Sequence, residues 1–287
     1  MTEGRYVFEG IEALTLTLAR FRTAGDMYEM ITHYNRSQSA ISEIVNWIVM
    51  YIDDHWGHLL DFDHTNLLSP ANLEIYADTI YAAGAPLAGI WAFIDCTIRR
   101  IARPSRWQRV AYNGHKKFHA LKFQALMLPN GIFGHLFGPE PGRHNDNHLL
   151  NKSRLLETCA KHAVRPGTND NTPAAERFFQ IFGDPAYGIS HQIISPFAGP
   201  GERTEAEKAW NESMASVRIE VEHGFGIVAN TWPFLNAGWK MHINSSPVGR
   251  YYRTAVLLTN AITCLHENQV SQHFDVQPPD IFEYFHH

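Results

Sequence analysis

The sequence predicts an α/β fold in which a mixed sheet is flanked by helices and preceded by a helical N-terminal region. Apolar residues recur every three or four positions within the first 55 residues and again over residues 205–229 and 251–268, which predicts helices. Between residues 86 and 182, short apolar runs are bounded by Gly, Pro and Asn, which predicts strands. Strands and helices in this order are typical of a sheet covered by helices.

The N-terminal region is predicted to contain helices over residues 9–22 and 27–34, then a longer helix after a polar turn. The longer helix has an apolar stripe formed by Ile41, Ile44, Val45, Ile48, Val49 and Ile52. A short helix, a turn and a longer helix have the outline of a helix-turn-helix. The acids Glu43, Asp53 and Asp54 favour a plain helical hairpin over a DNA-reading motif. We predict a helical region at 1–85 and a second domain at 86–287.

The middle of the chain is predicted to contain a hairpin and a helix. Residues 117–127 and 132–137 are predicted strands, joined by the turn Pro129-Asn130-Gly131. Residues 148–162 are predicted to be helical, and residues 165–173 form a loop with Pro, Gly and Asn.

Two aspartates follow predicted strands. An apolar run at residues 86–93 is predicted to be a buried strand that ends at Asp95, and a shorter run at 178–182 is followed by Gly183 and Asp184. Ligands of open α/β sheets bind at the carboxyl ends of strands, which makes both aspartates candidate site residues.

The composition limits the class of protein. With 287 residues, of which 45% are hydrophobic, the chain can bury a large core. No apolar run approaches the roughly 20 residues of a membrane helix, and the first residues lack the pattern of a signal peptide, so we expect no membrane association. Cys96, Cys159 and Cys264 are scattered without CxxC spacing, so disulfides and zinc fingers are not expected.

Positive charge is concentrated in one stretch, although the net charge is −5. Residues 96–139 contain no Asp or Glu, and their cations are Arg99, Arg100, Arg103, Arg106, Arg109, Lys116, Lys117 and Lys122. A field of one sign directly after Asp95 suits contacts to phosphates. A basic surface that acids balance elsewhere is the alternative.

Four acidic residues are candidate ligands of a divalent cation: Asp95, Asp146, Asp184 and Glu222. They lie in the segments IWAFIDCT, GRHNDNHLL, IFGDPAYG and VEHGFG. Carboxylates that converge from distant segments bind Mg²⁺ or Mn²⁺, and paired ions of this kind drive in-line attack on phosphodiesters. If the four acids converge, the sequence predicts a metal-dependent nuclease or strand-transfer enzyme.

Each acid also has a structural interpretation. Asp95 would cap its strand, although a carboxylate in an apolar segment is costly without a cation. Asp184 precedes a proline and would be a turn residue, and Asp146 would be the N-cap of the next helix. On the late helix, periodicity does not separate Glu220 from Glu222.

The histidines give a weaker signal. Four of them are candidate general bases or zinc ligands: His115, His119, His144 and His223. No pair of them forms a compact zinc motif with a Cys or carboxylate partner, so we expect solvated or hydrogen-bonded histidines.

Three ordered blocks of the chain resemble the PIF/Harbinger group of DDE superfamily endonucleases, which contains Harbinger-type transposases and the nucleases derived from them. The first block runs from FIDCTIRRIARPS through YNGHKKFHALKFQALMLPNGIFGHLFGPEPGRHNDNHLL. The second block is FGDPAYGISHQIISPF, the third is VRIEVEHGFGIVANTWPFL, and the ending SQHFDVQPPDIFEYF also matches. The resemblance covers nearly the whole chain.

This resemblance implies a ribonuclease H-like fold with acids on two strands and a glutamate on a helix. It implies a catalytic triad of Asp95, Asp184 and Glu222, because the acid of the third block precedes x-x-Phe, and it adds Asp146 as a further metal ligand. The implied reaction is two-metal in-line hydrolysis with Mg²⁺ or Mn²⁺, which strand transfer can follow.

The resemblance also indicates partners. DNA phosphates would be held, without sequence reading, by Arg103, Arg106, Lys116 and Lys117. Relatives work with a separate Myb/SANT-like protein that supplies DNA binding and nuclear import, and the N-terminal helices here carry little positive charge. We therefore expect such a partner, and a nuclear as well as cytoplasmic location, while self-association stays open.

Two other functions stay open from the sequence. One is a domesticated transposase-derived protein that binds chromatin or a partner without nuclease activity. The other is a metal phosphohydrolase of small substrates, for which the long basic stretch is more than a small ester requires.

Overall fold

The computed structural model describes residues 6–199 and 201–286, except for the side chains of residues 219–223. The helices are α1 (Gly10–Arg22), α2 (Tyr28–Tyr34), α3 (Gln38–Trp56), α4 (Pro70–Ala82), α5 (Gln108–Ala111), α6 (Asp146–Ser153), α7 (Leu155–His162), α8 (Ala174–Arg177), α9 (Glu205–Thr231), α10 (Val248–Leu265), α11 (Gln269–Phe274) and α12 (Ile281–Tyr284). The strands are β1 (Ile90–Arg100), β2 (Tyr112–Asn113), β3 (Phe118–Met127), β4 (Phe133–Pro141), β5 (Gln180–Phe182) and β6 (Ile193–Ile194). Short 3-10 helices cover Gly57–Leu60, Pro185–Tyr187, Pro233–Asn236 and Gly238–Lys240.

The strands form one mixed sheet with β1 at its centre. On one side β3 is antiparallel to β1 and β4 is antiparallel to β3; on the other side β5 is parallel to β1 and β6 is parallel to β5. The two-residue β2 pairs with the start of β3. Helices α4 and α9 pack on β1, and α6 packs on β3. The predicted α/β class is confirmed, and the topology agrees with the ribonuclease H-like arrangement implied by the resemblance.

The central strand differs from its prediction. We expected a strand that ends at Asp95, whereas β1 continues to Arg100. The reason is that its two neighbours stop at different points: the parallel pairing with β5 ends at Phe93, but the antiparallel pairing with β3 continues to Arg100. Asp95 therefore lies within β1, just beyond the end of the parallel half of the sheet.

The predicted hairpin of β3 and β4 is present. Its turn is closed by hydrogen bonds from Leu128 N to Ile132 O and from Gly131 N to Leu128 O, both 3.0 Å. Gly131 has a φ of 78°, and a Cβ there would meet the Asn268 side chain, so the turn requires glycine.

The helix predicted over residues 148–162 is two helices. Arg154 separates α6 from α7 in the left-handed conformation, with a φ of 56°. Helix α9 begins with a capping box between Thr204 and Glu207. It lies very close to the sheet at Gly224, where a Cβ would meet the end of the Met127 side chain at 2.3 Å, so a larger residue there would require Met127 to move.

The N-terminal helices pack against the C-terminal part of the chain. Phe21 of α1 contacts the rings of Trp232 and Tyr251 at centroid distances of 5.9 and 6.1 Å, and α3 packs along α10. The buried apolar side chains form one cluster that reaches from these helices into the sheet. The division into regions 1–85 and 86–287 stays a prediction. No helix among the described residues is long and apolar enough to cross a membrane.

Candidate active site

The register between β1 and β5 brings two of the predicted acids to adjacent positions. Phe93 is opposite Phe182 in this parallel pair. Asp95 lies two residues after Phe93, and Asp184 lies two residues after Phe182. The two aspartates are therefore adjacent, just beyond the end of the parallel pairing. In the segment IFGD, Asp184 thus follows β5 at the same position at which Asp95 follows the parallel-paired part of β1.

Asp95 is partly buried, with 32% of its side chain exposed. Its Oδ1 accepts a hydrogen bond from Cys96 N at 2.7 Å, and its Oδ2 lies 3.5 Å from the Arg218 guanidinium. Burial raises the pKa of Asp95; the backbone bond and Arg218 oppose this shift, whereas the charges of Asp184 and Asp146 add to it. Three carboxylates therefore repel one another at this position.

Asp184 is held by the turn that follows it. Its side chain caps the short helix Pro185–Tyr187 by accepting a hydrogen bond from Ala186 N at 2.9 Å. The turn role and a site role are compatible, since one carboxylate oxygen makes this bond. The side chain of Asn147 donates to Ala186 O, which joins this turn to α6.

Asp146 is the first residue of α6 and lies in the same region. The N-cap of this helix is Asn145, which accepts from His148 N at 2.8 Å, so the alternative that Asp146 is the cap is wrong. Asp146 instead makes an ion pair with Lys122 of β3. Its charge also contributes to the raised pKa of Asp95, which indicates that the two carboxylates lie near each other.

Glu222 lies on α9, and its side chain is outside the described residues. The same helix carries Arg218, whose contact with Asp95 brings this part of α9 to the acidic site. Position 222 is one helical turn after Arg218.

A comparison with protein families identifies this arrangement. The model of the DDE superfamily endonucleases matches residues 94–260, more than half of the chain. The chain belongs to the DDE superfamily endonucleases. Searches of curated proteins and of solved structures gave no match. The matched segment contains all four acids predicted from the sequence.

The acids of this DDE protein suit a hard divalent cation. Mg²⁺ and Mn²⁺ prefer carboxylate oxygens, and Asp95, Asp146 and Asp184 supply them from three separate elements. Lys122 and Arg218 are the cations that the described contacts bring to these three carboxylates. The donor set and its excess of negative charge therefore fit the divalent ions that DDE endonucleases use.

Two further residues line the site and were missed by the sequence analysis. The Tyr187 hydroxyl donates to Cys96 Sγ at 3.2 Å, and Tyr187 interacts electrostatically with Asp146 and Asp95. Burial raises the pKa of both groups well above their usual range, so both stay protonated and neither is an activated nucleophile. The signal for Tyr187 was its position three residues after Asp184 in the second block.

The basic stretch divides into two groups. Arg103, Arg106, Lys116 and Lys117 are exposed, as expected for residues that contact phosphates. Arg103 and Lys117 line a cleft of about 410 Å³ with Tyr112 and Trp239. Two other cations of the stretch face inward: Lys122 pairs with Asp146, and Arg99 lies over the ring of Tyr252 at 4.8 Å. Only some of the cations in this stretch are therefore available on the surface to contact DNA.

Two histidines lie beside a carboxylate. His144, His148 and Glu140 each place one possible ligand atom within 4.8 Å of the others. The expectation of solvated or hydrogen-bonded histidines stays a prediction. His119 packs against the ring of Tyr112, and the side chain of His223 is outside the described residues. The missed signal was the spacing E-x₃-H-x₃-H, which begins at Glu140.

Proposed function

We propose that this DDE protein is a metal-dependent DNA endonuclease of the Harbinger type. The observation that carries the proposal is the approach of Asp95, Asp184 and Asp146 from β1, from the end of β5 and from the start of α6. The three sequence blocks that resemble Harbinger transposases contain these same residues, which supports this subtype.

In this proposal Asp95, Asp184 and Glu222 are the catalytic acids, and Asp146 is a further metal ligand. Divalent ions bound there would lower the pKa of a water and stabilise the leaving 3′ oxygen of a phosphodiester. Arg218 contacts Asp95 and holds its carboxylate towards α9. Lys122 of β3 pairs with Asp146 and holds its carboxylate towards the sheet. The hydrogen bond from Ala186 N holds Asp184, so that each described acid is positioned before a metal binds.

The DNA would extend from the acids towards the exposed cations. Arg100, which lines the same cleft as Arg103 and Lys117, lies five residues after Asp95 on β1, about 17 Å along the strand. That distance corresponds to about five nucleotide steps of B-DNA. Arg103, Arg106, Lys116 and Lys117 would therefore hold the duplex at a distance from the scissile bond, without reading sequence.

We further propose that a Myb/SANT-like partner supplies sequence-specific DNA binding and nuclear entry. Among the described N-terminal helices, the arginines bind groups of this chain. Arg20 lies over the ring of Phe234 at 4.1 Å, Arg22 donates to Thr231 O at 3.0 Å, and Arg36 pairs with Glu12 at 2.7 Å. The region has no lysine up to residue 85. These contacts leave little positive charge for reading DNA, which supports dependence on a partner.

The test is nicking of supercoiled plasmid DNA by the purified protein with Mn²⁺ at low salt, alone and with a Myb-like partner. Asp184→Asn keeps an oxygen for the bond from Ala186 N but loses a charge of the site. The matched control is Asp78→Asn, an exposed carboxylate on α4. We expect nicking by the wild type and by the control, and a loss of at least about 1,000-fold in Asp184→Asn.

Two outcomes would contradict the proposal. Equal nicking by all three proteins would show a nuclease activity that does not use Asp184. No nicking by any of them, with the partner present, would favour the domesticated binding protein without nuclease activity.

A further inference from the structure

A group of metal-binding side chains lies next to the acidic site and is separate from it. Glu140 is near the end of β4, His144 is in the turn after it, and His148 is in the first turn of α6. One ligand atom of each lies within 4.8 Å of the others. We propose that Glu140, His144 and His148 form a binding site for Zn²⁺ or a similar late transition metal.

The donor set supports this class of metal. Two imidazoles and one carboxylate are a set that binds Zn²⁺ and leaves a fourth position for water. Mg²⁺, in contrast, prefers oxygen ligands and keeps several waters. The set therefore differs in chemistry from the all-carboxylate site of Asp95, Asp146 and Asp184.

Metal binding requires the two imidazole rings to turn out of a stacked arrangement. Glu140 Oε2 and His148 Nε2 are 3.9 Å apart, whereas two ligands of a tetrahedral Zn²⁺ are separated by about 3.4 Å. The rings of His144 and His148 lie nearly parallel, with centroids 3.8 Å apart. His148 is exposed and His144 is half-buried, so both rings have room to turn their nitrogens towards a common ion.

The surroundings of Glu140 suit a metal ligand. It is buried, with 6% exposure, and Lys152 of α6 donates to its Oε1 at 2.7 Å. Oε2 is directed towards His148. A carboxylate that accepts a hydrogen bond on one oxygen and binds metal with the other is the usual arrangement around metal sites.

The group is too far from Asp95 to share one ion with it. Glu140 pairs with Lys122 of β3, and Lys122 pairs with Ile98 of β1, so Glu140 is two strands across the sheet and three residues along from Asp95. Strand spacings place the two Cα atoms roughly 14 Å apart. The groups are linked instead through α6, because Asp146 lies between His144 and His148. Bound metal would fix the turn that carries Asp146.

The experiment measures Zn²⁺ binding by isothermal titration to the full chain carrying Asp95→Asn and Asp184→Asn, which removes two of the four competing carboxylates. Into this background we add His148→Ala, His144→Ala or the control His115→Ala, an exposed histidine outside the group. We expect binding of about one Zn²⁺ per chain in the parent and in the control. Partners of metal ligands alone contribute about 10- to 100-fold to affinity, so loss of either ligand should weaken binding by at least about 100-fold.

Co²⁺ gives an independent readout, because nitrogen ligands in a four-coordinate site change its visible absorption. The spectrum should appear in the parent and in His115→Ala, and should be absent in both ligand variants. The proposal is overturned if either ligand variant binds Zn²⁺ as tightly as the parent, or if the parent binds no Zn²⁺. Since every protein in this series lacks two acids of the proposed nuclease site, the result does not depend on nuclease activity.

Discussion

Two groups of acidic residues in this protein have similar side chains but different surroundings. In the first, which we call the Asp53 cluster, Asp53 and Asp54 of α3 meet Arg250 and Arg253 of α10. Arg253 Nε donates to Asp53 at 2.7 Å, Arg250 lies 3.5 Å from Asp53, and Arg250 also pairs with Asp54 at 2.5 Å. Two guanidiniums therefore balance two carboxylates in this cluster, which joins the two helices.

The second group, at the acidic site, has three carboxylates that act on one another. Asp95 contacts Arg218 at the longer distance of 3.5 Å, and its pKa is raised by burial and by the neighbouring aspartates. Neutralised acids such as Asp53 stabilise a fold, whereas acids that repel one another weaken it unless a cation binds. Charge balance therefore separates a structural acid from a candidate metal ligand.

Asp95→Asn should produce the largest effect, a loss of activity without a loss of stability. We expect the rate of Mn²⁺-dependent nicking to fall by at least about 1,000-fold, which corresponds to about 4 kcal/mol in the barrier. Because the charge of Asp95 is unfavourable in the metal-free fold, the melting temperature in EDTA should be unchanged or higher. Nicking assays and thermal melts of the same samples measure both effects. A clear loss of stability would mean that Asp95 belongs with the structural acids.

Asp53→Asn should have the opposite effects, a lower stability and an unchanged rate of nicking. Removing one partner of a buried ion pair leaves an uncompensated guanidinium, which costs about 3 kcal/mol in the free energy of unfolding. Only 10% of the Asp53 side chain is exposed. Urea unfolding measures the loss, and nicking at a temperature where the variant is folded should match the wild type. If Asp53→Asn is as stable as the wild type, the ion pairs of the Asp53 cluster do not stabilise the fold.

The sequence predicted the elements better than it predicted which charges meet. Periodicity and turn residues gave the main helices and the hairpin, because those patterns act within ten to twenty residues. The convergence of Asp95 and Asp184 was expected because both follow apolar runs, although β1 extends further than predicted. Its length depends on pairing with β3, which is remote in the chain. The inward contacts of Lys122 and Arg99, and the grouping of Glu140 with two histidines, depend on tertiary packing.

His135, whose pKa is affected by Arg253 of the Asp53 cluster, makes stability depend on pH. It is buried on β4, and burial, with a smaller contribution from Arg253, lowers the pKa of His135 to about 4. The unfolded chain binds the proton near pH 6.5, whereas the folded protein does so only near pH 4. Stability from this group is therefore present above about pH 6.5 and is lost as the pH falls towards 4.

We expect the free energy of unfolding to fall by about 2 kcal/mol between pH 7 and pH 5 on account of His135. Urea unfolding at both pH values measures the loss. His135→Leu replaces the ring with an apolar side chain of similar size, so its stability should lack this component. An equal loss in His135→Leu would assign the pH dependence to other groups.

Asp54→Asn should have the smallest effect, although Asp54 is next to Asp53 and binds the same arginine. About half of the Asp54 side chain is exposed, and Arg250 keeps its contact with Asp53 when Asp54 loses its charge. Water replaces the lost partner of an exposed ion pair, so the free energy of unfolding should change by less than about 1 kcal/mol. Urea unfolding of Asp53→Asn and Asp54→Asn under one set of conditions measures the difference. Equal losses in the two variants would mean that burial of the carboxylate does not determine how much each ion pair contributes to stability. Only the loss of activity would then distinguish the acids of the metal site from those of the Asp53 cluster.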